Sequence, residues 1–294
     1  MRNTLIAAAV ILMLPAARAA TPVTVGPPGR WTPPGIASPE YESSPTFTAD
    51  GREMHFFRAD TRFSNYRLLT SRCVNGSWSA PEPPSFARPD VMETDPWISP
   101  DGLTLYYVAD SHGGRKPGKE DLDIFVVRRD ATGGWGESER LPEPVNSSAA
   151  ELLPRQDGQG RLWFGSSREG GLGQGDIYIA NFTAGKWHVV NAGAPISSPA
   201  NEYEADISRD GKTAVVVANR GIRSHLYLFR REGHEWRDAG QIPAREEVFQ
   251  VGPLLSPNAD RLLFSQAWGD QSGEWFVVDL VPNADRNWPP ACAN

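Results

Sequence analysis

The stretch that decides the fold is Glu93-Thr-Asp-Pro-Trp-Ile-Ser-Pro-Asp-Gly102, followed at once by Leu103-Thr-Leu-Tyr-Tyr-Val-Ala109. Its first half is a short extended run that ends in Asp-Gly, a pair whose backbone freedom suits a tight hairpin turn. Its second half is dense in β-branched and aromatic residues, as expected of a strand buried on both faces. Leu122–Arg128 reads as a third strand, and Gly133-Gly134 turns the chain into a fourth around Trp135. Four antiparallel strands in about fifty residues make one propeller blade.

The same phrase recurs along the chain. It stands as Glu42-x-x-Pro45…Asp50-Gly51, Glu151-x-x-Pro154…Gln159-Gly160, Glu202-x-x-Ala205…Asp210-Gly211 and Gln250-x-x-Pro253…Asn258-Ala259. Counting from Glu42, the first positions are separated by 51, 58, 51 and 48 residues. Repetition at such a period marks a repeat architecture. Almost no stretch has helical periodicity, and one tryptophan per copy marks an outer strand, at Trp78, Trp135, Trp187, Trp236 and Trp288. A lone four-stranded sheet leaves its edges and faces uncovered, so the blades must pack on one another and close a ring.

The expectation is an all-β chain folded as a single β-propeller of five four-stranded blades over residues 41–294, with six blades as the alternative. Gly29-Arg30-Trp31 imitates the outer-strand pattern and competes with Trp288 for the last place in the fifth blade. Either way the N- and C-terminal segments meet and clasp the ring, with residues 20–40 supplying the N-terminal piece. Cys73 and Cys292 belong to the first and last copies, which a closed ring makes neighbours. They are a candidate disulfide, with two free thiols as the other reading.

Arg2, the apolar run Leu5–Leu14 and Ala17-Arg18-Ala19 read as a cleavable export signal over residues 1–19. Leu5–Leu14 is too short to span a bilayer. A periplasmic or secreted location follows. Losing Arg2 and Arg18 with the leader takes the net charge from −7 to −9. That balance disfavours nucleic acid and anionic lipid as partners.

The repeats resemble the WD-like propeller repeats of the TolB type. The resemblance rests on Glu93–Gly102, on Ser167-Arg-Glu-Gly-Gly-Leu-Gly-Gln-Gly-Asp-Ile-Tyr178 and on the connector Val145–Glu151. It covers residues 41 to about 280 and weakens at Ala205, His225, Gln250 and Glu274. It implies the fold and leaves the function open, since such propellers serve as scaffolds, sensors and lids of larger enzymes.

Tracing strand direction puts the Asp-Gly turns on one face of the ring. The loops between second and third strands, and the repeated glutamates, lie on the other. That loop face is the expected binding face. Candidate binding residues there are Glu42, Glu93, Glu151, Glu202, Arg168 and the cations Arg115, Lys116 and Lys119 of the long second-copy loop. The four glutamates have two readings: a Ca²⁺ site at the channel mouth, or framework groups that accept backbone N–H bonds from the next blade. Gly170–Asp176 lacks the Lys-Ser/Thr and helix of a phosphate loop. No catalytic motif is present. The leading expectation is an exported, monomeric, non-catalytic propeller that binds a protein or another cell-envelope component through its loop face. The alternatives are a carbohydrate- or small-molecule-processing enzyme using channel carboxylates, and a ligand- or cation-sensing module.

Overall fold

A computed structural model describes residues 26–110 and 122–292. The export signal and the cationic loop Arg115–Lys119 lie outside the described residues. The chain begins with the short strand β1 (Gly29–Arg30). Blade I follows as β2 (Tyr41–Phe47), β3 (Glu53–Ala59), β4 (Arg67–Val74) and β5 (Ser77–Trp78). Blade II is β6 (Glu93–Ile98), β7 (Thr104–Asp110), β8 (Leu122–Arg128) and β9 (Glu139–Arg140). Blade III is β10 (Glu151–Gln156), β11 (Leu162–Ser166), β12 (Asp176–Thr183) and β13 (Lys186–Asn191). Blade IV is β14 (Asn201–Ile207), β15 (Thr213–Asn219), β16 (His225–Glu232) and β17 (Glu235–Gln241). Blade V comprises β18 (Gln250–Leu255), β19 (Arg261–Trp268) and β20 (Gln271–Asp279), completed by β1.

The ring therefore has five blades, each an antiparallel sheet of four strands. The competition for the last outer place goes to the N-terminal segment. Gly29 pairs with Val277 and Arg30 with Phe276, and Trp31 N–H donates to the carbonyl of Trp275 at 2.9 Å. The ring of Trp31 sits 5.6 Å from Trp275 and 5.8 Å from Phe47, bridging blades V and I. Trp288 is not an outer-strand residue. It lies in the C-terminal strap, where its carbonyl accepts from Arg261 and its ring joins the core between blades V and I. Trp135 likewise falls just outside a strand, in an isolated bridge with Arg129.

Cys73 of β4 and Cys292 of the strap are bonded, with Cα atoms 5.3 Å apart across a sequence separation of 219 residues. The ring is thus closed twice, by β1 on the edge of blade V and by the strap crossing to blade I. Burial between blades supplies the rest of the cohesion. Met54 and Phe56 of blade I pack with Leu263 and Trp275 of blade V, and Ile124 and Val126 of blade II pack with Leu162 and Phe164 of blade III. Each such side chain contributes about 1.5–3 kcal/mol relative to exposure.

Every inner strand carries a bulge directly after its first residues. Four of the five have a left-handed residue two positions beyond the repeated Glu or Gln: Ser44, Asp95, Leu153 and Gly252, at φ 48°, 52°, 45° and 62°. A bulge adds a residue, bends the strand and re-aims its side chains. Here it turns the residues two and four positions past the glutamate toward neighbouring blades around the channel. Gly252 is needed on steric grounds as well, since a Cβ there would meet Ser43 Oγ at 2.5 Å and Ser44 N at 2.8 Å.

Candidate functional site: the channel and its two mouths

The repeated glutamates are buried, and each is bound to the connector that leads into its own strand. Glu151 accepts from Ser147 N–H at 3.1 Å, Ser147 Oγ at 2.6 Å, Ser166 Oγ at 2.9 Å and Arg168 at 3.0 Å. Glu202 accepts from Ser198 N–H at 2.9 Å and also from its hydroxyl. Glu42 accepts from the Ser38 hydroxyl and from Arg58 Nε at 2.8 Å. Glu93 has Arg88, through Nε at 3.1 Å and the backbone N–H at 3.3 Å. These groups brace the framework, but within their own repeat rather than through the next blade. Burial pushes the Glu42 carboxyl up to about 7 against the pull of Ser38 and Arg58. It also raises Glu93, Glu151 and Glu202.

Gln250 shows why the fifth copy departs from Glu. Its amide Nε2 donates to the carbonyls of Arg245 at 2.7 Å and Val248 at 2.9 Å, while Oε1 lies 2.6 Å from His225 Nδ1. This connector presents carbonyls where the others present donors, so an amide fits and a carboxylate does not. Arg168 is also spent internally: it donates to the carbonyls of Pro144 at 2.8 Å and Val145 at 2.6 Å, and its guanidinium lies 4.8 Å from the Tyr178 ring centre.

Around the channel, blade-to-blade bonds are made by residues two and four positions past the glutamate. Asp95 accepts from Ser44 Oγ of blade I at 2.8 Å and from Leu153 N–H of blade III at 3.2 Å. Glu204 accepts from Gly252 N–H at 2.6 Å, Asp206 from Leu255 N–H at 2.6 Å, and Thr46 Oγ1 from Ile98 N–H at 3.3 Å. Arg155, fully buried, donates through Nη1 to the carbonyls of Pro96 at 3.2 Å and Pro154 at 3.0 Å. Its Nε stands 3.8 Å from Asp206 Oδ1. Burial raises Asp95, and burial together with the nearby Asp95 charge raises Glu204. Asp206 is pushed up to about 6 by burial, against the pull of Arg155. Among the described residues no group of three or more His, Cys, Asp or Glu is arranged to hold a metal ion.

The two mouths differ. At the turn-face mouth, residues of all five blades and of the strap line a cavity of about 340 Å³. At the loop face, each described connection between second and third strands carries one exposed apolar side chain in or beside it. These are Phe63 (38% exposed) in blade I, Leu172 (53%) in blade III, Ile222 (93%) in blade IV and Trp268 (46%) at the start of the blade V loop. Sequence reasoning chose this face because strand direction puts the longer loops and the repeated glutamates there, and it missed the apolar crown, although one large apolar residue in or beside each polar loop was a readable signal.

No family model matches the chain, and no curated protein matches it either. Among solved structures, TolB from Acinetobacter baumannii superposes with a TM-score of 0.54 at 17% identity, covering 83% of this chain and 56% of that one. The fold is that of a TolB-like propeller. The likeness is one of fold, and the chain spans little more than half the length of that TolB. Prolyl oligopeptidase B from Galerina marginata matches at 0.50 with 11% identity, over 82% of this chain and 33% of that one. An oligogalacturonate lyase from Vibrio parahaemolyticus matches at 0.48 with 14% identity, over 84% and 69%. Among the described residues no helix is long and apolar enough to cross a membrane.

Proposed function

We propose that this chain is an exported binding propeller that performs no turnover and docks a protein of the cell envelope on its loop face. The crown of Phe63, Leu172, Ile222 and Trp268 carries the reading. Apolar side chains left in water on successive loops of a rigid ring mark an interaction surface, and aromatic and large aliphatic tips are the usual anchors of one. The crown is braced from beneath. Phe63 packs 5.1 Å from Tyr41 and 6.0 Å from Phe249, and Arg245 lies 5.8 Å from the Trp268 ring centre. Arg115, Lys116 and Lys119, the cations expected on this face from the sequence, lie outside the described residues.

Binding is favoured over channel catalysis by the state of the carboxylates. Glu42, Glu93, Glu151 and Glu202 are buried and committed to their connectors, so they do not form a solvent-facing acid/base pair. The test is cross-linking and capture from envelope extract with the mature protein, the Ile222→Ser/Trp268→Ser variant, and a chain lacking Arg115–Lys119. The double variant is expected to melt like the parent and to lose its captured protein, with a smaller loss for the loop deletion. Equal capture by all three chains would overturn the reading.

A further inference from the structure

We infer that the cavity at the turn-face mouth binds an apolar dipeptide with both termini free, its ammonium at Asp206 and its carboxylate at Arg209. The site lies at the opposite end of the channel from the apolar crown and does not depend on it. Its volume of about 340 Å³ falls at the lower end of small-molecule sites, roughly 300–1,000 Å³.

Three charged side chains line the cavity: Asp157, Asp206 and Arg209. Asp157 is already matched, by Arg161 Nε at 2.7 Å and Trp163 Nε1 at 3.1 Å. Asp206 is buried, at 4% exposure, and accepts N–H bonds from Leu255 at 2.6 Å and from Ile207. A carboxylate has about four acceptor positions, so these two bonds leave room for a ligand's donor. Arg155 does not fill it. That guanidinium is not a wall residue, its Nε stands 3.8 Å from Asp206 Oδ1, beyond hydrogen-bond reach, and its charge is shared with Asp95 and Glu204.

Arg209 supplies the opposite charge. It is exposed, and among the described residues its side chain has no ion pair or hydrogen bond. It sits on the turn directly after β14, three residues beyond Asp206. The turn is drawn onto blade III, where a Cβ on Gly158 would run into the Arg209 carbonyl. At strand rise the Cα atoms of Asp206 and Arg209 are at most about 10 Å apart. An extended dipeptide covers up to about 7 Å, and the Arg209 side chain closes the remainder. A planar guanidinium also takes a carboxylate through two parallel bonds.

Charge narrows the ligand class. A simple anion at Arg209 would be repelled by Asp206 and leave it unmatched. A simple cation at Asp206 would leave Arg209 unmatched, and a neutral ligand would forgo both charge-assisted bonds. A free amino acid carries both charges on one carbon and does not reach across. Phe47, Trp97 and Trp288 in the wall offer apolar surface for the two side chains.

The experiment titrates the mature protein with leucyl-leucine, following tryptophan fluorescence and heat. The comparators are N-acetyl-leucyl-leucine, which lacks the ammonium, and leucyl-leucine amide, which lacks the carboxylate. A saturable response to the free dipeptide is expected, with each blocked form roughly tenfold weaker. Arg209→Gln, an exposed change, should weaken the free dipeptide roughly tenfold and leave the amide's affinity unchanged, since the amide has no carboxylate to lose. Asp206→Asn should weaken the free dipeptide while sparing the acetylated form, and Ile222→Ser should alter nothing. If Asp206→Asn fails to fold, Arg209→Gln and the blocked peptides carry the test. The inference is overturned by the absence of a saturable response to leucyl-leucine, by blocked peptides that bind as tightly, or by dipeptide binding that Arg209→Gln does not weaken.

Discussion

Arg155 of blade III and Asp206 of blade IV occupy the same position in successive repeats, four residues past the glutamate, and meet inside the channel with Nε 3.8 Å from Oδ1. One guanidinium thus serves a channel that also buries Asp95 and Glu204. Removing one partner from a buried charged set leaves the others uncompensated and costs about 3–5 kcal/mol. Arg155→Met should lower the unfolding free energy by about that amount at pH 7, read from urea midpoints at unchanged slope. The deficit should shrink as pH falls and the carboxylates protonate. An Arg155→Met variant as stable as the parent would mean that the carboxylates are neutral without the guanidinium.

The pH profile follows from groups displaced in opposite directions. Glu42 is held at about 7 by burial and Asp206 at about 6 by burial. For both, the folded chain binds its proton more tightly than the unfolded chain. Their contribution is complete below the ordinary carboxylate range and is lost as pH rises through 6 and 7. Glu53 is opposite: burial would raise it, but His55, Arg129 and Arg72 outweigh burial and hold it at about 2. Its contribution is present above the ordinary value of 4.5 and lost as pH falls toward 2. Melting temperature should therefore peak near pH ~5 and fall toward pH ~8. Glu204→Gln should flatten the alkaline limb, because burial and Asp95 raise Glu204 in the same sense. Stability that rises steadily from pH ~5 to pH ~8 would contradict the assignment.

Gln250 offers a sharper test of what the repeated position does. Gln250→Glu would aim a carboxylate at the carbonyls of Arg245 and Val248, which now accept from its amide. Two lost donors and one buried charge should cost about 2–4 kcal/mol at pH 7, with partial recovery in acid. The mirror change, Glu151→Gln, sets an amide against Ser147 N–H and Arg168. It should cost more than Glu93→Gln, whose carboxylate is bonded to Arg88 alone among the described residues. Equal effects at positions 93 and 151 would show that connector bracing is not what the position supplies.

Much of this was legible in the chain. The fivefold phrase gives strand order and polarity, because Asp-Gly pairs must turn and aromatic runs must be buried. The two cysteines fall on copies that only a closed ring brings together. The channel was harder to read. A plain alternation of faces predicts which inner-strand residues look inward, but each bulge adds a residue and shifts that phase, as between Leu152 and Arg155. The N–H bonds to the next blade, expected at Glu42, Glu93, Glu151 and Glu202, therefore fall to Thr46, Asp95, Glu204 and Asp206. Arg155 could have been singled out as the one cation in the five inner strands, aligned with Asp206 one repeat later. Trp288 misled because a tryptophan after a turn marks an outer strand in blades I, III and IV, whereas here a strap buries it at the ring closure.

That strap gives the last test. Reduction of Cys73–Cys292 frees a link that spans 219 residues, and chain entropy assigns roughly 5 kcal/mol to so long a loop, with measured bridges usually giving about 2–4 kcal/mol. The non-covalent part of the closure remains: β1 on β20, the Arg30–Glu274 ion pair at 2.6 Å, and Pro290 lying over the Gly51 turn, where a Cβ would meet it at 2.8 Å. Cys292→Ser should therefore stay folded, lose about 2–4 kcal/mol to urea, and make Trp288 more open to acrylamide quenching. Removing residues 26–31 instead should expose the edge of β20 and leave Trp288 shielded. If both changes expose Trp288 equally, the strap and β1 form a single cooperative latch rather than two independent closures.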